Sequence, residues 1–306
     1  MTRGWRKVSD ERIAMSGDEP PGMVQTKLEV AGVFGRTAPL YDRVGPRFFS
    51  HFGHRLVELA RIPSGARALD VATGKGAVLV PAAAAIGPDG HVTGIDLSEA
   101  MVQEAVQEID RLGLENAEVL EMDAEDLRFP DASFDRVLCG FALFFFPRLD
   151  RALREMRRVL RPGGRIAVTT WDSSFDEQWR WFDELVKAHL PPEAEPEQTV
   201  ESRSPSPPVL DRPEGLEGVM GTAGFTGIQV VSETAEFVYP SEEVWWSSLW
   251  SHGMREELEA VGEATGPDGL ATFKAAVLER QRTVRQADGI HQSFPALFTL
   301  ASKPQD

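Results

Sequence analysis

The chain has 306 residues, with 48 Asp and Glu against 32 Lys and Arg and a net charge of −16. So acidic a balance argues against a nucleic-acid substrate, since phosphate contacts need a basic face. The length is enough to bury a sizeable core, one cysteine excludes a disulfide framework, and no apolar run approaches the roughly 20 residues of a membrane span.

Residues 1–24 are polar, with Gly and Pro, and are expected to be a flexible or accessory segment. The charged opening lacks the apolar stretch of a secretory signal. Without signal or disulfides, the expected location is the cytoplasm. Residues 25–60 read as a helical lid carrying Val33, Phe34, Tyr41, Phe48, Phe49, Phe52 and Leu56. His51 and His54 share a helix face but have no third ligand, so no metal site is assigned.

Residues 61–175 read as the cofactor-binding core. Ala66 to Val71 is a strand buried on both faces, breaking into the turn Ala72-Thr73-Gly74-Lys75-Gly76 before a helix from Ala77 to Ile86. Gly74 and Gly76 permit positive φ and close approach of a ligand to the backbone. The helix start points unpaired N–H groups at the turn. A second strand, His91 to Ile95, ends in Asp96, whose two acceptor oxygens suit a ribose diol. The βαβ unit is therefore an adenosine site. The dinucleotide pattern G-x-G-x-x-G/A fails, because Leu79 stands at its third small position. Asp70, inside the strand, would repel a pyrophosphate but suits an ammonium group. That combination points to S-adenosylmethionine (SAM).

Here the chain resembles the class I SAM-dependent methyltransferases, and more narrowly the ubiquinone/menaquinone-biosynthesis and natural-product small-molecule branch. That family's usual acid-x-G-x-G-x-G pattern departs here only in Ala72 at the first glycine. The resemblance implies that Asp70, Ala72, Thr73, Gly74 and Gly76 cradle the cofactor and that Asp96 holds its ribose. Leu97 lies against the adenine, as does Met101 unless it is plain core. Tyr41 lies near the SAM carboxylate or sulfonium, or else packs as a core aromatic. Ser98 caps a helix over Glu99–Leu112 that stops at Gly113. Ala117 to Met122 is the third strand, ending in Asp123 and Ala124. Asp123 matches the family's adenine-binding acid, and Ala124 joins the same contact. Glu125 and Asp126 read as charges at a helix N-terminus.

Phe129 to Gly140 is a turn and fourth strand, with a "sFD" entry common in that family. The apolar Phe141–Pro147 follows at the C-terminal strand edge, where open α/β sheets bind ligands. The (Asn/Asp)-Pro-Pro-aromatic motif of DNA and protein amino-group methyltransferases is absent, so the acceptor is expected to be apolar. Phe141 is assigned to the cofactor or acceptor, and Phe145 and Phe49 to the acceptor. An amphipathic helix, Leu149 to Leu160, ends at Arg161-Pro162-Gly163-Gly164, the most recognisable family signature and a structural one. A fifth strand, Arg165 to Thr170, leads to Trp171, a further acceptor candidate.

Residues 176–224 read as a cap insertion: a helical segment with Trp179, Trp181 and Phe182, a Pro-rich loop over 191–215, and a short helix, Leu216 to Ala223. Residues 225–306 supply a sixth strand (Phe225–Val238), a helix capped by Ser241, a long helix (Gly269–Arg285) and a last strand (Phe294–Ala301). Trp246 and Trp250 are the expected acceptor contacts. His252 and His291 are the candidate bases, with Tyr41 a third catalytic candidate and His51 a weaker one.

The fold class is α/β. The alternating pattern supports a doubly wound sheet, and the resemblance implies a seven-stranded order 3-2-1-4-5-7-6 with the last strand antiparallel and a helical cap. The function the resemblance implies is in-line methyl transfer from SAM to a lipophilic or aromatic metabolite in bacterial secondary metabolism or quinone-like biosynthesis, leaving S-adenosylhomocysteine. Two alternatives stand beside it. One is a SAM-binding protein that promotes cyclisation or rearrangement without methyl transfer. The other is a nicotinamide oxidoreductase, disfavoured by Leu79 and Asp70. The expected partner is a small molecule; assembly as a homo-oligomer is left open.

Overall fold

The computed structural model describes residues 21–190 and 210–305. The expectations for residues 1–20 and for the Pro-rich stretch 191–209 lie outside the described residues. Seven strands, β1 (Arg67–Val71), β2 (His91–Asp96), β3 (Ala117–Glu121), β4 (Phe134–Gly140), β5 (Leu160–Trp171), β6 (Thr226–Tyr239) and β7 (Ile290–Ser302), form one sheet in the order β3-β2-β1-β4-β5-β7-β6. β1 to β5 are parallel, and β7 runs antiparallel to both β5 and β6. This is the order expected.

β1 is buried from Ala68 to Val71, as an unbroken apolar strand covered on both faces must be. One face is covered by α2 (Phe48–Ala60), α3 (Leu79–Ile86) and α4 (Glu99–Leu112), through Phe52, Leu56, Leu79, Ile86 and Ile109. The other carries α5 (Leu149–Val159) and α7 (Pro213–Thr222), through Leu153, Met156, Leu216 and Met220. α6 (Ser173–His189), α8 (Glu242–Leu249) and α9 (Arg255–Val284) pack together as the cap, and α1 (Pro21–Thr37) lies against α4.

Element ends differ from the sequence reading for local reasons. Pro21 to Val24 already belong to α1, and Pro213 opens α7 three residues earlier than expected, as proline in a helix's first turn allows. The Arg161–Gly164 stretch is not a separate turn. β5 begins at Leu160, paired with Phe134, and a register shift before Arg136 absorbs the segment. The long helix runs from Arg255, with Gly266 (φ 69°) and Pro267 producing an internal break.

The missing third small residue of the glycine turn is also explained. α3 begins at Leu79, two residues later than expected, and Leu79 is fully buried. Its bulk fits because residue 94 of β2 is glycine: a Cβ there would come within 2.5 Å of Leu79 Cδ1. The small residue that lets helix and strand approach has moved from the helix to the facing strand. α2 approaches the same turn at Gly53, where a Cβ would run into the Ala77 carbonyl oxygen. Gly53→Ala is therefore expected to destabilise the fold by about 1–3 kcal/mol, the usual cost of overpacking. The check is a lower urea midpoint at unchanged slope.

Candidate active site

The turn after β1 is built from left-handed backbone. Ala72 (φ 54°), Gly74 (φ 53°) and Gly76 (φ 92°) all take positive φ, a conformation that strains Ala72 and costs glycine nothing. A Cβ on Gly74 would meet no atom within 4 Å, so open space fronts the turn. Thr73 N–H donates to the Ile95 carbonyl at 2.8 Å, and Gly74 N–H donates to Asp96 Oδ2 at 2.8 Å. The other Asp96 oxygen accepts from Ser98 N–H at 2.9 Å. Asp96 thus ties the turn to the tip of β2, and each oxygen keeps a second lone pair for a ribose hydroxyl. Burial pushes its carboxyl up to about 6.

Asp70 is fully buried under the turn. Its Oδ2 accepts from the Thr73 hydroxyl at 2.6 Å, while Oδ1 is buried without a hydrogen-bond partner. Burial pushes this carboxyl up to about 7, and the nearby Asp96 charge adds to the rise. A buried carboxylate under a turn that fronts open space suits the ammonium group of SAM. The residues present therefore fit the cofactor.

The adenine side is more occupied than expected. Asp123 Oδ1 accepts from Glu125 N–H, and Asp123 Oδ2 pairs with Lys27 Nζ of α1 at 2.7 Å. Lys27 also pairs with Glu125 at 2.7 Å, and Glu125 with Arg148 at 2.9 Å. Glu125 is a buried member of this network, not a solvated charge at a helix start. Nothing in the sequence around Lys27 marked it. Ala124 is buried beside Met122 and Leu127. Leu97 and Ser98 line a groove beneath α1 with Leu28, Gly32 and Gly35. Met101 is buried on the inward face of α4, one turn from Ala105, as core.

Beyond the C-terminal strand edge lies an aromatic cage. Phe141, left-handed at φ 52°, stacks on Trp171 with ring centroids 4.0 Å apart, and Trp171 stacks on Phe175 at 4.5 Å. Phe48 stacks on Phe294 at 4.7 Å, Tyr41 on Phe49 at 4.8 Å, and Phe145 meets Phe34 edge-on at 5.0 Å. Trp179, Tyr239, Trp245 and His252 complete the wall. Tyr41, Phe49, Phe141, Phe145, Trp171 and His252 are thus brought together here. Phe48, Phe175, Trp179, Tyr239, Trp245 and Phe294 were not singled out from the sequence as acceptor contacts.

Three assignments need correction. Trp246 and Trp250 do not line the cage. They sit one turn apart on the other side of α8, where Trp246 meets Phe273 of α9 and Trp250 lies under Arg255. Trp245 and Leu249, the neighbouring pair at the same spacing, face the cage. His291 is also outside it. Both its ring nitrogens are engaged, Nδ1 with Glu236 at 2.8 Å and Nε2 with Asp288 at 2.9 Å, and these partners raise its pKa. His252 faces the cage, but not as a simple base. Burial pushes its pKa down to about 4. Met254 N–H approaches Nδ1 at 3.5 Å, the outer limit of a hydrogen bond. His51 packs edge-on against Phe52 and Phe237, outside the cage.

Sheet order, glycine turn and the acid at the tip of β2 together define the class: a Rossmann-like methyltransferase. The comparisons agree. The family described as "Methyltransferase domain" matches residues 68–164. Nocamycin O-methyltransferase of Saccharothrix syringae is 34% identical over 275 residues, 87% of this chain and 95% of that protein. Demethylmenaquinone methyltransferase of Listeria welshimeri is 37% identical over 172 residues, 52% of this chain and 73% of that protein. Aklanonic acid methyltransferase DauC of a Streptomyces species is 40% identical over 144 residues, 47% of this chain and 66% of that protein. Among solved structures, YcgJ of Bacillus subtilis matches with a TM-score of 0.56 at 18% identity, over 84% of this chain and all of that one, a likeness of fold alone. The chain belongs to the SAM-dependent small-molecule methyltransferases. No helix among the described residues is long and apolar enough to cross a membrane.

The state of Asp70 yields a pH test. Its folded carboxyl sits above the ordinary 3.8, so the folded chain holds a proton that the unfolded chain releases. This contribution to stability is present at low pH and is lost as pH rises from about 4 through about 7. Binding of an ammonium group has the opposite sense, since it needs the ionised acid. SAM affinity is expected to rise roughly tenfold between pH 6 and 7.5. Asp70→Asn should flatten both trends, read by calorimetry and by urea unfolding at matched pH.

Proposed function

We propose that the acceptor is a flat, lipophilic metabolite of natural-product or quinone-like type, held in the aromatic cage. One observation carries this reading: among the described residues no Asp, Glu, Lys or Arg lines the cage. A charged or phosphorylated acceptor would be left without a counter-charge, whereas stacked rings suit a planar apolar one. The relatives named for nocamycin, demethylmenaquinone and aklanonic acid support the same class. A buried free thiol, Cys139, fits the cytoplasm as the place of work.

SAM, when bound, supplies a methyl group already activated as a sulfonium, and S-adenosylhomocysteine is the product left behind. The chain has to hold both molecules in line and exclude water. Asp96 and the turn at Ala72, Thr73, Gly74 and Gly76 hold the ribose and methionine ends, with Asp70 taking the ammonium group. Leu97 and Ala124 border the adenine, and Asp123 accepts from its amino group while bound to Lys27. Phe141 and Trp171 stand between this half and the cage, and Tyr41, Phe49 and Phe145 close it on the α1–α2 side. His252 meets the acceptor as a neutral imidazole, its Nε2–H donating to an acceptor oxygen.

The first test is formation of S-adenosylhomocysteine from SAM with planar aromatic acceptors. An altered acceptor without S-adenosylhomocysteine would instead indicate a rearrangement catalyst. For His252, the pH–rate profile should show no limb near pH 6.5, because the ring is already neutral there. His252→Phe should lower kcat roughly 100-fold, the usual loss on removing one positioned donor. At α8 the two indoles should separate. Trp245→Leu is expected to raise the acceptor KM. Trp246→Leu should lower the unfolding midpoint, as a cavity in the core does, and leave the acceptor KM near the wild-type value.

A further inference from the structure

The cage holds two stacked indoles, Trp179 of α6 and Trp245 of α8, with ring centroids 5.6 Å apart and planes inclined by 18°. They are not equivalent. Trp245 Nε1–H donates to Gln292 Oε1 at 2.7 Å. Trp179 Nε1–H is buried and has no hydrogen-bond partner among the described residues, and the side chain as a whole is only 6% exposed. A buried indole N–H almost always finds an acceptor, and one without is costly to keep. Its ring neighbours, Phe175, Phe182 and Trp245, carry no side-chain acceptor. Two other polar groups of the wall are engaged elsewhere: Tyr239 is hydrogen-bonded with Ser248, and Met254 N–H approaches His252 Nδ1. No carboxylate lines the cage to take the proton of Trp179.

We propose that Trp179 Nε1–H is a specificity-determining donor that reads a carbonyl or other neutral oxygen on the planar acceptor. This rests on the reading of the cage as the acceptor site. It adds that the acceptor must present a hydrogen-bond-accepting oxygen at its α6 side, and that a hydrocarbon of the same outline binds poorly. An acceptor that brings this oxygen completes the site, whereas one that lacks it leaves the donor unpaired.

The test uses two rigid probes of one carbon frame, 9-fluorenone and fluorene, which differ in a carbonyl oxygen. Each is titrated into the full-length protein by calorimetry, with and without saturating S-adenosylhomocysteine. Failure to bind S-adenosylhomocysteine would count against the cofactor reading, and the comparison of the two probes would still decide the role of Trp179. The ketone is expected to bind about tenfold more tightly than the hydrocarbon, as one added hydrogen bond allows. Trp179→Phe should bring the two affinities together by weakening the ketone, and Trp181→Phe, on the same helix but outside the cage, should preserve the difference. In the 15N-labelled wild-type protein, the one indole N–H resonance that is missing from an otherwise unchanged Trp179→Phe spectrum should move downfield with fluorenone and not with fluorene, a readout taken on the wild-type protein itself. Equal affinity for both probes, no binding of either, a difference that survives Trp179→Phe, or an unmoved resonance would each overturn the proposal.

Discussion

Asp96 accepts one backbone N–H from the glycine turn and another from the start of α4. Two loops that follow different strands are thereby fixed to one carboxylate. The arrangement needs left-handed backbone at Ala72, Gly74 and Gly76, and it needs Gly94, without a side chain, beneath Leu79. Once the turn is held, the open space in front of Gly74 and the orphaned oxygen of Asp70 follow. Both carboxyl groups are raised by burial, so they are protonated more readily than surface acids are. A cation placed beside them would reverse that preference.

The cofactor half was legible in the sequence because its parts lie close together along the chain. A strand, a glycine turn and an acid at the next strand's tip occupy residues 67–96, and each element's chemistry is local. The sheet order came from family resemblance, since alternation of strands and helices does not place β7 between β5 and β6. Leu79 looked like a defect until Gly94 was seen opposite it, and no pattern along one strand reveals a compensation across two elements. Lys27 was invisible for the same reason: its partners Asp123 and Glu125 are about a hundred residues away.

The aromatic cage was legible as composition and not as geometry. Clustered aromatics near residues 141–146, 171–182 and 245–250 marked the right segments. Which of two adjacent tryptophans faces inward depends on helical phase, and α8 has only eight residues, apolar on more than one side. Trp245 faces the cage because Trp246 is taken by Phe273 of α9, a contact between elements whose packing the sequence does not state. His252 and His291 looked alike as candidates. Surroundings separate them: one lies among rings, the other between two carboxylates at the surface.

β7 is the last of the described strands in order and an interior strand in place. During synthesis β5 and β6 therefore wait as open edges until residues 290–302 emerge, and strand edges of that kind invite pairing with other chains. Phe294, in the same strand, supplies a wall of the cage by stacking on Phe48. A chain cut before Ile290 would lose more than a tail. It would split the sheet, leave β6 without its neighbour and open the cage, while every residue of the glycine turn remained. Closure of the cage thus waits for a strand that follows every other described strand in sequence.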